Sequence, residues 1–191
     1  MATGERSHAE GSYAQATEWA AHAEGRYTVA GGFASHAEGN ETHATNRQAH
    51  AEGNLTRATG LSSHAEGEST QAIGDYSHAE GRYTKAQHED SHASGFNTKT
   101  GAVAQTVIGR FNKGNADSLF EVGYGTSDNA RANAFEVCCA EDNSSAWAKI
   151  DNKYVPTIEE QETGNNLPIH IVISSTQPEA IPGTLWIQLV Y

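Results

Sequence analysis

The chain has 191 residues, and its 24 acidic and 12 basic residues give a formal net charge of −12. This balance argues against a nucleic-acid partner, because phosphate binding needs a clustered basic face. The sequence has no hydrophobic signal core and no apolar run near the roughly 20 residues that span a bilayer, which predicts no membrane insertion. Its two cysteines, Cys138 and Cys139, are neighbours without redox or zinc spacing, and we expect them to be reduced and buried.

The first half of the chain repeats a 14-residue unit seven times, approximately Ser-His-Ala-Glu-Gly-x-x-Thr-x-Ala-x-Gly-x-x. The glycine in every copy would cost a helix interior about 1 kcal/mol relative to alanine, and no apolar heptad seam is present, so a coiled coil is excluded. A fixed period without slippage predicts an all-β chain whose residues 1–105 form a β-roll of stacked coils. Seven coils at about 4.8 Å each would give a rod of about 34 Å.

Alternation along each predicted strand assigns the faces of the roll. Ser, Ala and Gly of the first half-unit fall on the inner face, together with Thr and Ala of the second half-unit, because a 14-residue coil has no room for Leu or Phe. The recurring glycines are expected at turns that need a positive φ. With threonine facing inward, the flat outward threonine array of an ice-binding surface is not expected.

The outward positions of the first strand are far more uniform than solvent exposure requires. A roll this thin also buries too little apolar area to stand alone, so we expect self-association along this face. The predicted ladder consists of His8, Glu10, His22, Glu24, His36, Glu38, His50, Glu52, His64, Glu66, His78, Glu80 and His92.

The unit resembles the head repeat of YadA-like trimeric adhesins, in the variant found in bacteriophage tail, tailspike and head-fibre proteins. The resemblance covers about residues 2–105. It implies a left-handed parallel β-roll, a homotrimer around a three-fold axis, and a role in attachment to a cell surface. The adhesin heads carry aliphatic residues in the slots held here by His and Glu, so a polar ladder would replace an apolar one at the axis.

Histidine and glutamate two residues apart could bind metal, since imidazole and carboxylate are good ligands. We favour hydrogen-bonded pairs between chains and expect no metal and no cofactor, because seven identical stacked sites would be an unusual use of metal. No nucleophile or distinct pocket accompanies the ladder, so we expect no catalytic residues and no enzyme activity. The aromatic residues Tyr13, Tyr27 and Tyr83 share one turn slot; they are candidate glycan contacts, or else they wedge between neighbouring chains.

Residues 106–191 are expected to form a small C-terminal β domain, which is either a trimer-locking cap or a distal tip. Short strands separated by Gly, Asn and Asp turns are predicted. A capping box and a terminal glycine predict a brief helix at 157–164. The strands are expected at 118–123, 134–138, 146–150, 153–155, 167–174 and 184–191.

Together with these patterns, the resemblance implies a non-enzymatic virion fibre or receptor-binding protein that uses its roll as a rigid trimeric spacer in host attachment. The expected partners are the chain itself, a host cell-surface glycan or protein, and a virion protein at the N-terminal end, where residues 2–7 begin the solenoid in mid-coil with open strand edges. The alternative is a head fragment of a trimeric autotransporter adhesin on the bacterial cell surface. A glycan-cleaving tailspike is the third candidate and would need paired carboxylates in a groove.

Overall fold

The computed structural model describes residues 1–140, 145–151 and 153–155. These residues are all-β and contain no helix, and therefore none that could cross a membrane. One compact unit comprises Met1–Tyr154. The predicted helix at 157–164 and the predicted strands at 167–174 and 184–191 lie outside the described residues.

Each of the first six coils of the roll contains one five-residue strand and one two-residue strand, joined by two turns. The seventh coil has a long strand and an isolated bridge at Lys99 in place of the short strand. The long strands are β1 (His8–Ser12), β3 (His22–Arg26), β5 (His36–Asn40), β7 (His50–Asn54), β9 (His64–Glu68), β11 (His78–Arg82) and β13 (His92–Phe96). The short strands are β2 (Gln15–Ala16), β4 (Val29–Ala30), β6 (His43–Ala44), β8 (Arg57–Ala58), β10 (Gln71–Ala72) and β12 (Lys85–Ala86). Successive strands of each kind pair in parallel with a register of 14, as His50 does with His36 and His64. The predicted β-solenoid is confirmed.

The interior of the roll is filled by small side chains, as predicted. From the second coil onward the alanines of both strands are fully buried, and the threonine before each short strand is buried beside them; in the first coil Ala9 is partly buried and Ala14 takes the threonine slot. Inner serines close the turns; for example, the Ser35 hydroxyl donates to the carbonyl of Gly32 at 2.7 Å. Because no apolar side chain larger than alanine lies in the core of these coils, the coils are held together mainly by backbone ladders.

The recurring glycines do not lie inside the roll, contrary to the alternation argument. Gly39 is exposed and has a φ of 111°, and this positive φ interrupts the strict alternation of the strand. A Cβ at Gly53 would lie 2.2 Å from the carbonyl oxygen of Gly67. The prediction of a positive φ is therefore confirmed, whereas the inward placement is wrong.

Each coil also has two corners at which residues other than glycine adopt a positive φ. Leu55 has a φ of 59° and Ser62 a φ of 49°, and the equivalent slots of the other coils behave alike. Residue type varies freely in these slots, so no sequence pattern predicts their positive φ. The backbone of the stacked coil, held by its neighbours, imposes a conformation that costs an isolated residue about 1–2 kcal/mol.

Parallel stacking continues beyond residue 105. β14 (Thr106–Arg110) pairs with β13, and β15 (Ser118–Tyr124) pairs with β14, again with a register of 14. β16 (Asn133–Cys139) and β17 (Ala146–Ile150) then add in antiparallel orientation, and β18 (Lys153–Val155) is the last strand of the 12-stranded sheet. The sheet thus extends the solenoid past the seven repeats visible in the sequence, while a domain division at residue 105 stays a prediction.

The interior of this continuation is polar. The buried carboxylate of Glu121 accepts hydrogen bonds from the backbone N–H groups of Gly114 at 2.9 Å and Asn115 at 2.6 Å, and from the Asn112 side chain at 2.6 Å. Its cross-strand neighbour Glu136, also buried, accepts from the Asn133 side chain at 2.8 Å. Hydrogen-bonded carboxylates thus take the place that alanine holds in the roll.

The two cysteines follow this polar core. Both are free, as predicted; Cys138 is buried, whereas Cys139 is only partly buried. Burial raises the pKa of the Cys138 thiol. The thiol is therefore protonated at neutral pH and packs as a small side chain.

Candidate functional site

The predicted His/Glu ladder forms one continuous face of the solenoid, which we call the ladder face. Histidine takes the first position and glutamate the third position of each long strand from β1 to β11, so both point outward. In-register parallel pairing places identical side chains above one another. The rings of His50 and His64 stack with centroids 4.6 Å apart and planes within 2°, and the stack runs with similar geometry from His36 to His92.

Histidine and glutamate approach each other on this face at distances longer than a hydrogen bond. In the first three coils the partners belong to the same coil, as with His22 Nε2 and Glu24 Oε2 at 3.9 Å. In the last three coils the histidine faces the glutamate of the preceding coil, as with His78 Nε2 and Glu66 Oε1 at 3.5 Å. The Nε2 atoms of five histidines are buried and have no hydrogen-bond partner, namely those of His36, His50, His64, His78 and His92.

Two residues of the ladder have shifted pKa values, His64 and Glu80. Burial lowers the pKa of His64, and the neighbouring imidazoles of His50 and His78 lower it further, which outweighs the attraction of Glu52. A hydrogen bond from Ser94 lowers the pKa of Glu80. At pH 7 His64 is therefore neutral and Glu80 is ionised.

The carboxylates line a shallow groove along the ladder face. Because glycine follows each glutamate, no side chain fills the space beside the carboxylates, and the groove crosses four coils. Its lining consists of Glu24, Gly25, Glu38, Gly39, Glu52, Gly53, Glu66 and Gly67. The groove is open to an ion or to side chains from another surface.

Three sets of side chains on this face place one ligand atom each within 4.8 Å of one another. Each set combines one histidine with the glutamate of its own coil and the glutamate of the coil before. The sets are Glu38, His50 and Glu52; Glu52, His64 and Glu66; and Glu66, His78 and Glu80. Imidazole and carboxylate are ligand types that suit divalent transition metals.

Beyond residue 105 the ladder face becomes apolar, which sequence reasoning missed. Ile108 occupies the glutamate slot of its coil, and its register partners are Val122, then Phe135, then Ile150. Ile108 is 38% exposed and Ile150 48% exposed, and Phe120 lies half-buried beside them. The spacing of Gly95, Gly109 and Gly123 by 14 was the signal that could have revealed the continuation of this face past residue 105. We call these five apolar residues the apolar patch.

The candidate glycan contacts are only partly brought together. Tyr13 and Tyr27 stack with ring centroids 4.8 Å apart and planes within 7°, and the Arg26 guanidinium lies 4.7 Å from the Tyr27 ring. Tyr83, four coils further along the roll, contacts Phe96 instead, with centroids 6.1 Å apart. The structure thus presents one exposed tyrosine pair and a separate tyrosine.

Comparison with known proteins adds no assignment. No family model, no curated protein and no solved structure matches this chain.

Proposed function

We propose that this protein is a non-enzymatic bacteriophage fibre and host-attachment protein, a homotrimer in which the β-roll is a rigid spacer. The observation that carries the proposal is the continuity of the ladder face with the apolar patch. Along one side of one sheet, stacked His/Glu pairs give way to half-exposed aliphatic and aromatic side chains. The resemblance of the repeat to trimeric adhesin heads supplies the number of chains, the left-handed turn and the attachment role.

The chemistry of the face favours another copy of the chain as its partner. An apolar patch beside a polar groove is typical of an association surface. The ladder repeats with the strand spacing of about 4.8 Å, and a surface with the same period matches it over many coils. A second and third copy of the same roll have that period, whereas an unrelated globular surface does not. Identical chains arranged around a rotation axis also form a closed assembly, in which the ladder face of every chain is covered.

Association would also bury apolar surface, which the interior of the roll provides only in small amounts. Its core consists of alanine, serine and threonine, which bury little apolar area per coil. At about 25 cal/mol per Å² of apolar surface, covering the apolar patch in every chain adds the stabilisation that an isolated thin roll cannot draw from its interior. The exposed Tyr13–Tyr27 pair then lies free on the outside of the coils as a candidate contact for a host glycan.

Solution mass tests the trimer. Light scattering should give three times the chain mass of 20.4 kDa in dilute neutral buffer. Ile108→Glu should reduce the mass to that of a monomer, because it places a charge in the apolar patch. Ile73→Glu is the matched control, since Ile73 is 43% exposed against 38% for Ile108 but is not on the ladder face. A native monomer, or equal behaviour of the two variants, contradicts the proposal.

Labelling on particles and cells tests the attachment role. Antibodies against the purified protein should decorate bacteriophage particles from the source culture, and the labelled protein should bind the surface of host cells and compete with phage adsorption. If the antibodies label intact bacteria and no particles, the protein is a bacterial surface adhesin, which is the alternative function.

A further inference from the structure

We propose that the ladder face binds divalent transition-metal ions, with Zn²⁺ as the reference ion, at sites built from one histidine and two glutamates of a single chain. The sites are the three overlapping sets centred on His50, His64 and His78. The inference goes beyond the attachment role, and all ligands of a site lie in one chain, so it holds or fails separately from the trimer.

The spacing of the ligand atoms fits a shared ion. Zinc lies about 2.0–2.2 Å from imidazole nitrogen and carboxylate oxygen, so two ligands of a tetrahedral ion are about 3.4 Å apart. His78 Nε2 lies 3.5 Å from Glu66 Oε1, and His64 Nε2 lies 3.8 Å from Glu52 Oε1. A hydrogen bond between these groups would bring the atoms to about 2.7–2.9 Å. The observed distances leave room for an ion between the two atoms.

The histidine nitrogens lack partners within the described chain. The Nε2 atoms of His50, His64 and His78 are buried and accept or donate no hydrogen bond, although each lies near carboxylates. An unpartnered buried polar atom carries a desolvation cost of about 1–3 kcal/mol. Coordination to a metal removes that cost at each histidine that an ion occupies.

The charge of the face favours a cation. Glu38, Glu52, Glu66 and Glu80 lie directly opposite one another in register, and like charges opposite each other destabilise a sheet. The histidines do not offset this charge where burial lowers their pKa, as at His64. Neutral imidazole is also the form that binds metal. Two carboxylates and one divalent ion make a neutral site.

Sharing of ligands fixes the expected number of ions. The set around His64 shares Glu52 with one neighbouring set and Glu66 with the other, whereas the sets around His50 and His78 share no residue with each other. Two ions at these outer sites, two coils apart, use each of the four glutamates once and leave His64 without an ion. A third ion between them would have to share both glutamates and would bind more weakly. The native chain should therefore bind two ions tightly.

This inference differs from the sequence-based preference for hydrogen-bonded pairs without metal. That preference rested on the improbability of seven identical metal sites. Among the residues that the structure describes, only three complete sets form, because the histidine turns from the glutamate of its own coil toward that of the preceding coil along the roll. The first coils pair differently and form no set.

Counting ions in variants tests the assignment. Chelator-stripped protein is dialysed against micromolar Zn²⁺ at neutral pH, and bound zinc is measured by elemental analysis. The native chain should bind two ions. His64→Asn should still bind two, because both outer sites remain. The double variant His50→Asn, His78→Asn should bind one, and adding His64→Asn to it should abolish binding. The matched control His43→Asn, on the short-strand sheet, should bind two.

A second measurement uses the native protein alone. Zn²⁺ should protect His50 and His78 from modification by diethyl pyrocarbonate, read by mass spectrometry, and should leave His43 reactive. Absence of bound zinc, an ion count that is equal in all ladder variants, or equal protection of His43 overturns the proposal. Light scattering on the same samples reports the trimer separately, so a monomer that binds two ions contradicts only the proposed assembly.

Discussion

The seven-repeat roll and the sheet beyond residue 105 share one backbone register but fill their interiors in opposite ways. In the roll, alanines such as Ala51 are completely buried and the side chains inside the coil contribute few hydrogen bonds. Beyond it, Glu121 and Glu136 lie in the equivalent interior and hold a hydrogen-bonded network. The stacking of parallel strands therefore does not depend on one kind of core. It needs an interior that is either small or fully hydrogen-bonded.

The largest effect should come from removing the centre of the network. Glu121→Ala leaves the N–H groups of Gly114 and Asn115 and the Asn112 amide without their acceptor, which we expect to lower the free energy of unfolding by about 4 kcal/mol. Urea denaturation at fixed protein concentration measures this loss in the free energy of unfolding. Glu18→Ala, at an exposed position of the roll, should change stability by less than about 0.5 kcal/mol. Equal effects of the two variants would show that the network does not organise this end of the sheet.

The roll should instead be most sensitive at its backbone. Gly53→Ala puts a Cβ at a φ of 104° and 2.2 Å from the carbonyl oxygen of Gly67, so we expect a loss on the order of 3 kcal/mol from strain and displacement of the next coil. Gly31→Ala is the matched control, because its Cβ would meet nothing closer than 3.8 Å and should change stability by less than about 1 kcal/mol. Thermal unfolding of both variants measures the difference. A Gly53→Ala protein as stable as the Gly31→Ala protein would contradict the prediction that the stacking of the coils requires glycine at position 53.

The same contrast explains what the sequence could predict. The period, the inward Thr56 and Ala58, and the outward His50 and Glu52 follow from alternation in a repeat that never slips. The apolar patch and the carboxylate network were missed because Ile108 and Glu121 each occur once in their slots, and one residue carries no periodicity. The inward placement of glycine failed because a positive φ breaks the alternation on which it depended. The pairing of each histidine with a neighbouring coil depends on side-chain rotamers, which a repeat pattern does not specify.

Acid should destabilise the roll, by a smaller amount than either substitution. Because the pKa of His64 is lowered from its ordinary value of 6.5, the unfolded chain binds the proton more readily. The contribution of His64 is therefore complete above pH 6.5 and is lost as pH falls below it. The lowered pKa of Glu80 acts in the same direction below its ordinary value of 4.5. Stability should thus fall from pH 7.5 to pH 5.5 through His64 and further below pH 4.5 through Glu80.

Melting temperatures at pH 7.5 and 5.5 test this dependence. His64→Gln should reduce the difference between the two melting temperatures, because the variant has no imidazole to protonate at the centre of the stack. His8→Gln removes a ring at the exposed end of the stack, where the side chain is 62% accessible, and should leave the difference nearly unchanged. A melting temperature that rises on acidification would mean that the ladder histidines are stabilised as cations, contrary to the direction at His64.

The smallest effect should show that the roll does not need those buried threonine hydroxyls that have no hydrogen-bond partner. The Thr56 hydroxyl is buried without a hydrogen-bond partner, and such a group carries a desolvation cost that an apolar group of the same shape avoids. Thr56→Val should therefore leave stability unchanged or raise it by up to about 1 kcal/mol. In the same column the Thr98 hydroxyl donates to the carbonyl of Ser94 at 3.2 Å, so Thr98→Val should lose about 1 kcal/mol. Urea denaturation of the two variants compares the same side-chain change in one column with and without a hydrogen-bond partner. A loss at Thr56 as large as at Thr98 would mean that the Thr56 hydroxyl also stabilises the interior of the roll.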